Sequence, residues 1–251
     1  MAINPLTTNE MRAYLSGRSG VVTAAVEDLR TRQTWTYHPG DREQTGSIIK
    51  VDILETLLRQ VELSHTSLDS DEVALVQGMI EDSDNDDAQD LWSLVGESSG
   101  IGAYDAKAGL TQTVPNTEGY WGETTTSAMD QIRLLRELVM KHSLLNAAFK
   151  HYELGLMEHV EADQAWGVSA GVPSAANIAL KNGWLPLTTD TNWEINSIGR
   201  VKGEGRRYLI AILTAHDPSE SYGITTTDRM SSIVWSDLAS AHARRTYSPE
   251  R

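Results

Sequence analysis

"TGSIIKVDIL", Thr45–Leu54, is where this chain changes its period. Upstream, "GVVTAAVEDLRT" (Gly20–Thr31) is rich in β-branched residues and "TWTYHP" (Thr34–Pro39) alternates Trp35 and Tyr37 with threonines. That pattern predicts a two-stranded hairpin. From Ser47 onward the apolar residues Ile48, Val51, Leu54, Leu57, Leu58 and Val61 recur at helical spacing. Toward the N-terminus, Thr7 or Thr8 caps a short helix to about Ser16, with Met11, Tyr14 and Leu15 on one face. Toward the C-terminus, the chain to about residue 160 reads as mostly helical. "SDEVALVQGMIEDS" puts Val73, Val76 and Ile80 on one stripe, and "SAMDQIRLLRELVM" is amphipathic, capped by Thr126 or Ser127. A loop with Pro115, Asn116, Gly119 and Gly122 separates the two. "NIALKNGWLPL", "NWEINSIGRV" and "RRYLIAILTAH" are three further strand candidates, followed by a final helix, "TTDRMSSIVWSDLASAHARR". Strands at both ends and helices between them predict an α/β (α+β) fold. It has one antiparallel sheet of about five strands flanked by helices, with a mostly helical lobe inserted. The expected organisation is a single domain, with an α/β lobe at about 1–46 and 176–251 and a helical lobe at about 47–175.

Composition narrows the function classes. At 251 residues, with 40% apolar and 22% charged residues, the chain has the balance of a soluble globular protein. A net charge of −14 and the lack of a long basic stretch argue against nucleic-acid binding, and the charge is expected to keep the protein soluble. The absence of cysteine excludes thiol catalysis, thiolate metal sites and disulfides. No stretch of about 18 apolar residues predicts a membrane span. The start, "MAINPLTTNEMRAYL", lacks the pattern of a secretory signal. The expected location is cytoplasmic if that start is native, and secreted or periplasmic if a leader has been removed. Nothing in the sequence speaks to oligomeric state.

Three short motifs carry chemistry. Ser47 and Lys50 lie three residues apart at a helix start, so the amine shares a face with the hydroxyl. A serine hydroxyl needs a base to become a nucleophile, and a buried lysine can be neutral enough to serve. Backbone N–H groups at the helix start can meet a developing oxyanion. The competing reading of this pair is a helix cap and a surface lysine. The second motif is Ser83-Asp84-Asn85, inside a run with five aspartates between Asp82 and Asp90. A calcium loop is not supported, because Asp87 stands where the turn glycine belongs and Ser93 where the closing glutamate belongs. Ser83 can relay a proton and Asn85 can bond a substrate amide, or any of the three can cap the next helix. The third is Lys181-Asn182-Gly183 on a candidate strand, a cation beside a glycine that lets backbone approach closely. Alone it also fits a simple hairpin.

In this order the three motifs resemble those of class A β-lactamases and penicillin-binding proteins. The resemblance spans nearly the whole chain, since "ETTTSAMDQIRLLREL" is similar to the segment that closes the family's omega loop. It implies a β-lactamase-like fold and a serine hydrolase that acts on a small-molecule substrate without a cofactor or metal. In that scheme Ser47 is the acylated nucleophile, Lys50 the base, Ser83 the proton shuttle and Lys181 an electrostatic tuner. Asn85, Asn182, Gly183 and Trp184 bind substrate, with the Ser47 and Trp184 N–H groups as the oxyanion hole.

Three departures qualify this. Asn182 replaces a threonine or serine hydroxyl. Trp193 and Glu194 stand about where the family has a carboxylate-binding arginine, and Arg200 is too far along to replace it. The omega-loop segment "TVPNTEGYWGETTT" has no acid near Val114–Asn116, which leaves Glu118 as the nearest deacylation acid and Glu123 at a structural position. These losses point to a β-lactamase-like esterase, amidase or transacylase that is weak on β-lactams. The alternatives are a genuine class A β-lactamase and a non-catalytic β-lactam- or peptide-binding member of the fold. Trp121, Trp166 and Trp184 are candidates for the cleft rim, while His151 and His159 show no metal-ligand spacing.

Overall fold

The computed structural model describes residues 3–187 and 191–246, so the expected lobe limits at residues 1 and 251 lie outside the described residues. The first half of the chain forms α1 (Asn9–Leu15), β1 (Val21–Asp28), β2 (Gln33–Tyr37), β3 (Glu43–Gln44), α2 (Ile49–Ser64), α3 (Ser70–Gln77), α4 (Asn85–Leu94) and α5 (Glu97–Ala108). The second half forms β4 (Thr125–Thr126), α6 (Ala128–Val139), α7 (Ala147–Met157), β5 (Asn177–Pro186), β6 (Trp193–Gly203), β7 (Arg206–Asp217) and α8 (Glu220–Thr246). The main sheet has the order β2-β1-β7-β6-β5, with every pair antiparallel. Both ends of the chain thus build one five-stranded sheet, with β2 at one edge and β5 at the other.

Period-two alternation assigns the two faces of the sheet. Ala25, Leu209, Ala211 and Leu213 pack with α2, α4, α6 and α7, whereas Ala24, Val26, Ile210 and Ile212 pack with α1 and α8. Helix α2 is the axis of the first cluster. Every residue from Ile49 to Leu58 is buried, the mark of a helix enclosed on all sides. Burial on that scale puts Lys50, Asp52 and Glu55 inside the protein along with the aliphatic residues.

Caps explain several boundaries. Thr8 accepts from the Met11 N–H at the start of α1, Asp69 and Glu72 form a capping box on α3, and Ser127 caps α6. The predicted helix over 70–83 is interrupted: α3 stops at Gln77 and a π-helical turn, Gly78–Asp82, follows. The stripe is broken accordingly, with Val76 and Ile80 in the core and Val73 exposed. Helix α8 begins before the predicted Thr226, and the short β3–β4 pair carries too few residues for any pattern.

Candidate active site

The Ser47 backbone is set by close packing. Gly46–Ile48 is a 3-10 turn leading into α2, and neither the turn nor the helix has a side-chain cap. Ser47 is therefore not the helix cap of the plainer reading. Gly46 has φ +51°, and a Cβ there would lie 3.0 Å from the Trp184 N. A Cβ on Gly183 would lie 2.5 Å from the Thr45 carbonyl oxygen and 2.7 Å from the Ser47 N, distances no side chain tolerates. Gly183 is thus what lets edge strand β5 meet the Gly46–Ile48 turn, and the Ser47 and Trp184 backbones come together along that contact. Asn196 on β6 holds the turn from behind, its Nδ2 donating to the carbonyls of Gln44 (2.7 Å) and Thr45 (3.0 Å).

Two buried lysines meet at Ser83. Lys50 Nζ donates to the Ser83 carbonyl (2.6 Å) and lies 3.1 Å from Ser83 Oγ and 2.8 Å from Asn85 Oδ1. Lys181 Nζ reaches the same Ser83 Oγ from β5 at 2.8 Å. Both side chains are inaccessible to solvent, so neither is the surface lysine of the alternative reading. Burial pushes the Lys50 ammonium down to about 7 against the opposing charges of Asp84 and Asp87. Burial, then the charge of Lys50, lowers Lys181 well below the usual lysine range. No hydrogen bond joins Lys50 to Ser47, and the amine is held by Ser83 and Asn85 instead.

The second motif divides its labour. Asp84 caps α4, accepting from the Asp86 and Asp87 N–H groups. Ser83 and Asn85 on either side turn to Lys50. Ser83 adopts φ +58° at the end of the π turn, a left-handed conformation that costs a residue with a Cβ about 1 kcal/mol. A π turn and a left-handed serine at one point are local strain of the sort found at functional sites.

A cleft of ≈ 350 Å³ opens over these groups, lined by Ser47, Ser83, Asn85 and Trp184 and by the 119–123 segment. Trp121 lies on that segment with its ring centroid 5.1 Å from Lys50 Nζ, and Trp184 stands 6.3 Å from Trp166. The acid that lines the cleft is Glu123. Glu118 is exposed and lies outside the lining, because Asn116 Oδ1 accepts from the Glu118 and Tyr120 N–H groups and curls this short loop tightly. The Val114–Thr125 bridge closes the loop at its base.

The third motif points partly elsewhere. Asn182 Nδ2 donates to the carbonyls of Gln164 (2.6 Å) and Trp166 (3.2 Å), which ties the 162–166 loop to β5. Arg200 pairs with Glu158 at 2.7 Å. Glu194 is buried across from Leu185, and burial, then the nearby Glu43, raises its carboxyl to about 8. Asn196 and Glu123 are the contributors that the sequence reading did not select. An asparagine in the interior of the strand "NWEINSIGRV" is the signal for the first, since strands disfavour it.

A model of the beta-lactamase enzyme family matches residues 72–238, a span that includes Ser83–Asn85 and Lys181–Gly183 and begins after Ser47 and Lys50. Among solved structures, a class A beta-lactamase from Bacteroides cellulosilyticus superposes with a TM-score of 0.82 at 18% identity, covering 92% of this chain and 96% of that one. A beta-lactamase from Chitinophaga pinensis gives 0.81 at 19% identity, over 91% and 98% of the two chains. PBP-A gives 0.80 at 18% identity, over 92% and 95%. These likenesses show the fold. A curated relative, "Putative lipoprotein LppW" of Mycobacterium tuberculosis, is 28% identical over 83% of this chain and 67% of its own length. The chain belongs to the beta-lactamase enzyme family and has the fold of the class A enzymes.

Proposed function

We propose that this protein is a serine acyl-transfer enzyme that forms an acyl-enzyme at Ser47. The observation that supports this most is the pair of buried lysines bracketing Ser83 Oγ beside a serine whose own side chain is left uncommitted as a cap. In the proposed step the Ser47 hydroxyl oxygen bonds to the acyl carbon of an ester, amide or β-lactam. Its proton passes to neutral Lys50. The Ser83 hydroxyl, fed by the lysines, protonates the leaving group as its bond to the acyl carbon breaks. The Ser47 and Trp184 N–H groups meet the oxyanion. The Lys50 amine moves to Ser47 once substrate fills the cleft, since hydrogen bonds of this kind tighten in the complex.

Release of the acyl group is the weaker half of the cycle. All three Lys50 hydrogen bonds go to Ser83 and Asn85, and Glu118 lies away from the cleft. The acyl-enzyme should therefore accumulate, as expected of an esterase, amidase or transacylase that is a poor β-lactamase. One observation favours the rival reading of a genuine β-lactamase. Glu123 lines the cleft, and in that reading it activates the deacylating water. No described helix is long and apolar enough to cross a membrane, and the lipoprotein name of the LppW relatives favours the secreted or periplasmic alternative.

Time-resolved intact mass spectrometry with a phenyl ester, a penicillin and a cephalosporin tests this. The expected record is a single adduct that forms with the ester and persists. Rapid, Glu123-dependent loss of a β-lactam adduct would select the β-lactamase reading. The absence of any adduct, with ester and β-lactams all left intact, would overturn both.

A further inference from the structure

The charge of the cleft runs against the carboxylate-binding arginine that the family resemblance leads one to expect. Among the described residues that line it, Glu123 is the only acid, and none is lysine, arginine or histidine. The cations nearest the floor are committed elsewhere. Lys181 is sealed and spends its bonds on Ser83 Oγ and the Asn182 carbonyl, and Lys50 is held by Ser83 and Asn85. Arg200 is taken by Glu158. The Asn182 amide, which replaces a hydroxyl, is turned to the carbonyls of Gln164 and Trp166. Where a carboxylate-binding cation would stand, β6 carries Trp193 and the buried acid Glu194.

The walls suit the opposite charge. Tyr120 and Trp121 lie on the 119–123 segment beside Glu123, and Trp184 faces them from β5. Aromatic faces attract cations through the ring quadrupole, and an acid at the same rim adds to that attraction. A net charge of −14 extends the same field into solvent.

We infer that the cleft selects acyl substrates carrying a cationic group, an alkylammonium beside the scissile bond, and discriminates against those carrying a carboxylate there. This rests on the acyl-transfer reading of Ser47. The positive group sits against Tyr120 and Glu123 while the acyl carbon faces Ser47, because the Trp121 ring already has Lys50 Nζ 5.1 Å from its centroid. Chemistry is unchanged: the Ser47 oxygen gains the acyl group, and the leaving alcohol or amine takes the proton.

Three phenyl esters of the same acyl length test it, ending in trimethylammonium, in its neutral isostere tert-butyl, or in carboxylate. The readout is the rate of adduct appearance by intact mass, so slow release does not interfere. The trimethylammonium ester should acylate about three- to tenfold faster than the tert-butyl ester at low salt, with the gap narrowing at high salt. The carboxylate ester should be the slowest. Glu123→Gln should reduce the ratio of the first two, leaving the part that the aromatic faces supply, and Glu123→Lys should invert the order. Because these are ratios within one variant, a general loss of activity cancels. The inference is overturned if the carboxylate ester reacts as fast as the neutral one, or if the ammonium preference is absent or is undiminished in Glu123→Gln. If none of the three esters labels Ser47, the acyl-transfer reading fails and takes this inference with it.

Discussion

Helix α2 carries two sets of buried ionisable groups, and the protein treats them in opposite ways. On one side Lys50 meets Ser83, Asn85 and, through Ser83 Oγ, Lys181, so that each polar atom has a partner. On the other, Asp52 and Glu55 face Asp105 of α5 and Glu153 of α7, all of them buried. There Tyr104 OH bonds Glu55 and Thr56 Oγ1 lies 3.5 Å from Asp52, but both oxygens of Glu153 and of Asp105 find no donor. Burial raises all four carboxyls, Asp105 to about 7 and the others well above the usual range. The difference teaches what burial does to charge. Both sets are pushed toward neutrality, but a neutral lysine is a base poised for use, whereas a neutral carboxyl in an apolar core is only tolerated.

The largest effect should come from removing the base. Lys50→Met should lower the acylation rate by about 10²–10⁴, the range of a lost general base. The fold should remain, because the substitution replaces a desolvated amine with an apolar chain of similar length. Stopped-flow acylation with circular dichroism separates the two readouts. An unchanged rate would remove Lys50 from the mechanism.

Next is the pH profile of acylation. Lys50 is lowered to about 7, so its neutral form is the minor one below that value and the major one above. Acylation should rise about tenfold per pH unit up to near neutrality and then level off. A rate that falls over this range would contradict a neutral-lysine base.

The carboxyl side predicts an effect on stability with the opposite sign of pH dependence. Folded-state values above the unfolded ones mean that the native protein binds more protons. Stability is therefore greatest at or below the ordinary carboxylate range and declines as pH rises toward the raised folded values, Asp105's near 7 among them. Each group contributes a slope of up to about 1.4 kcal/mol per pH unit where it is protonated only in the folded state. Glu153→Gln removes one such group, so it should flatten the decline in Tm between mildly acidic and mildly alkaline pH and stabilise the protein at the alkaline end. A decline that is unchanged in this variant would mean that Glu153 keeps its charge in the core.

The sequence made these two regions legible to different degrees. Ser47, Lys50, Ser83, Asn85 and Lys181 could be selected because three spaced motifs narrow the chemistry together, and the structure brings these residues to one point. The five-stranded sheet was legible from β-branched and alternating stretches near the start of the chain and from three loop-bounded strand candidates in its last third. The carboxyl cluster was not, because Asp52 and Glu55 look like the solvent face of an amphipathic helix until α4, α5 and α7 enclose α2 on every side. Helices α5 and α7 escaped separate assignment, and α5 has glycines at positions 100 and 102 that weaken its pattern. Glu118 and Glu123 differ by five positions in one short loop, and only the Asx turn at Asn116 decides which of them lines the cleft.

The central claim is that Ser47 is the residue acylated, and peptide mapping tests it most directly. The protein is mixed with a trimethylammonium phenyl ester, quenched in acid, digested and sequenced by mass spectrometry, in parallel with Ser47→Ala. The account predicts one adduct, on Ser47, that is absent from the variant. An adduct on Ser83 or a lysine, or labelling that persists in Ser47→Ala, would contradict it.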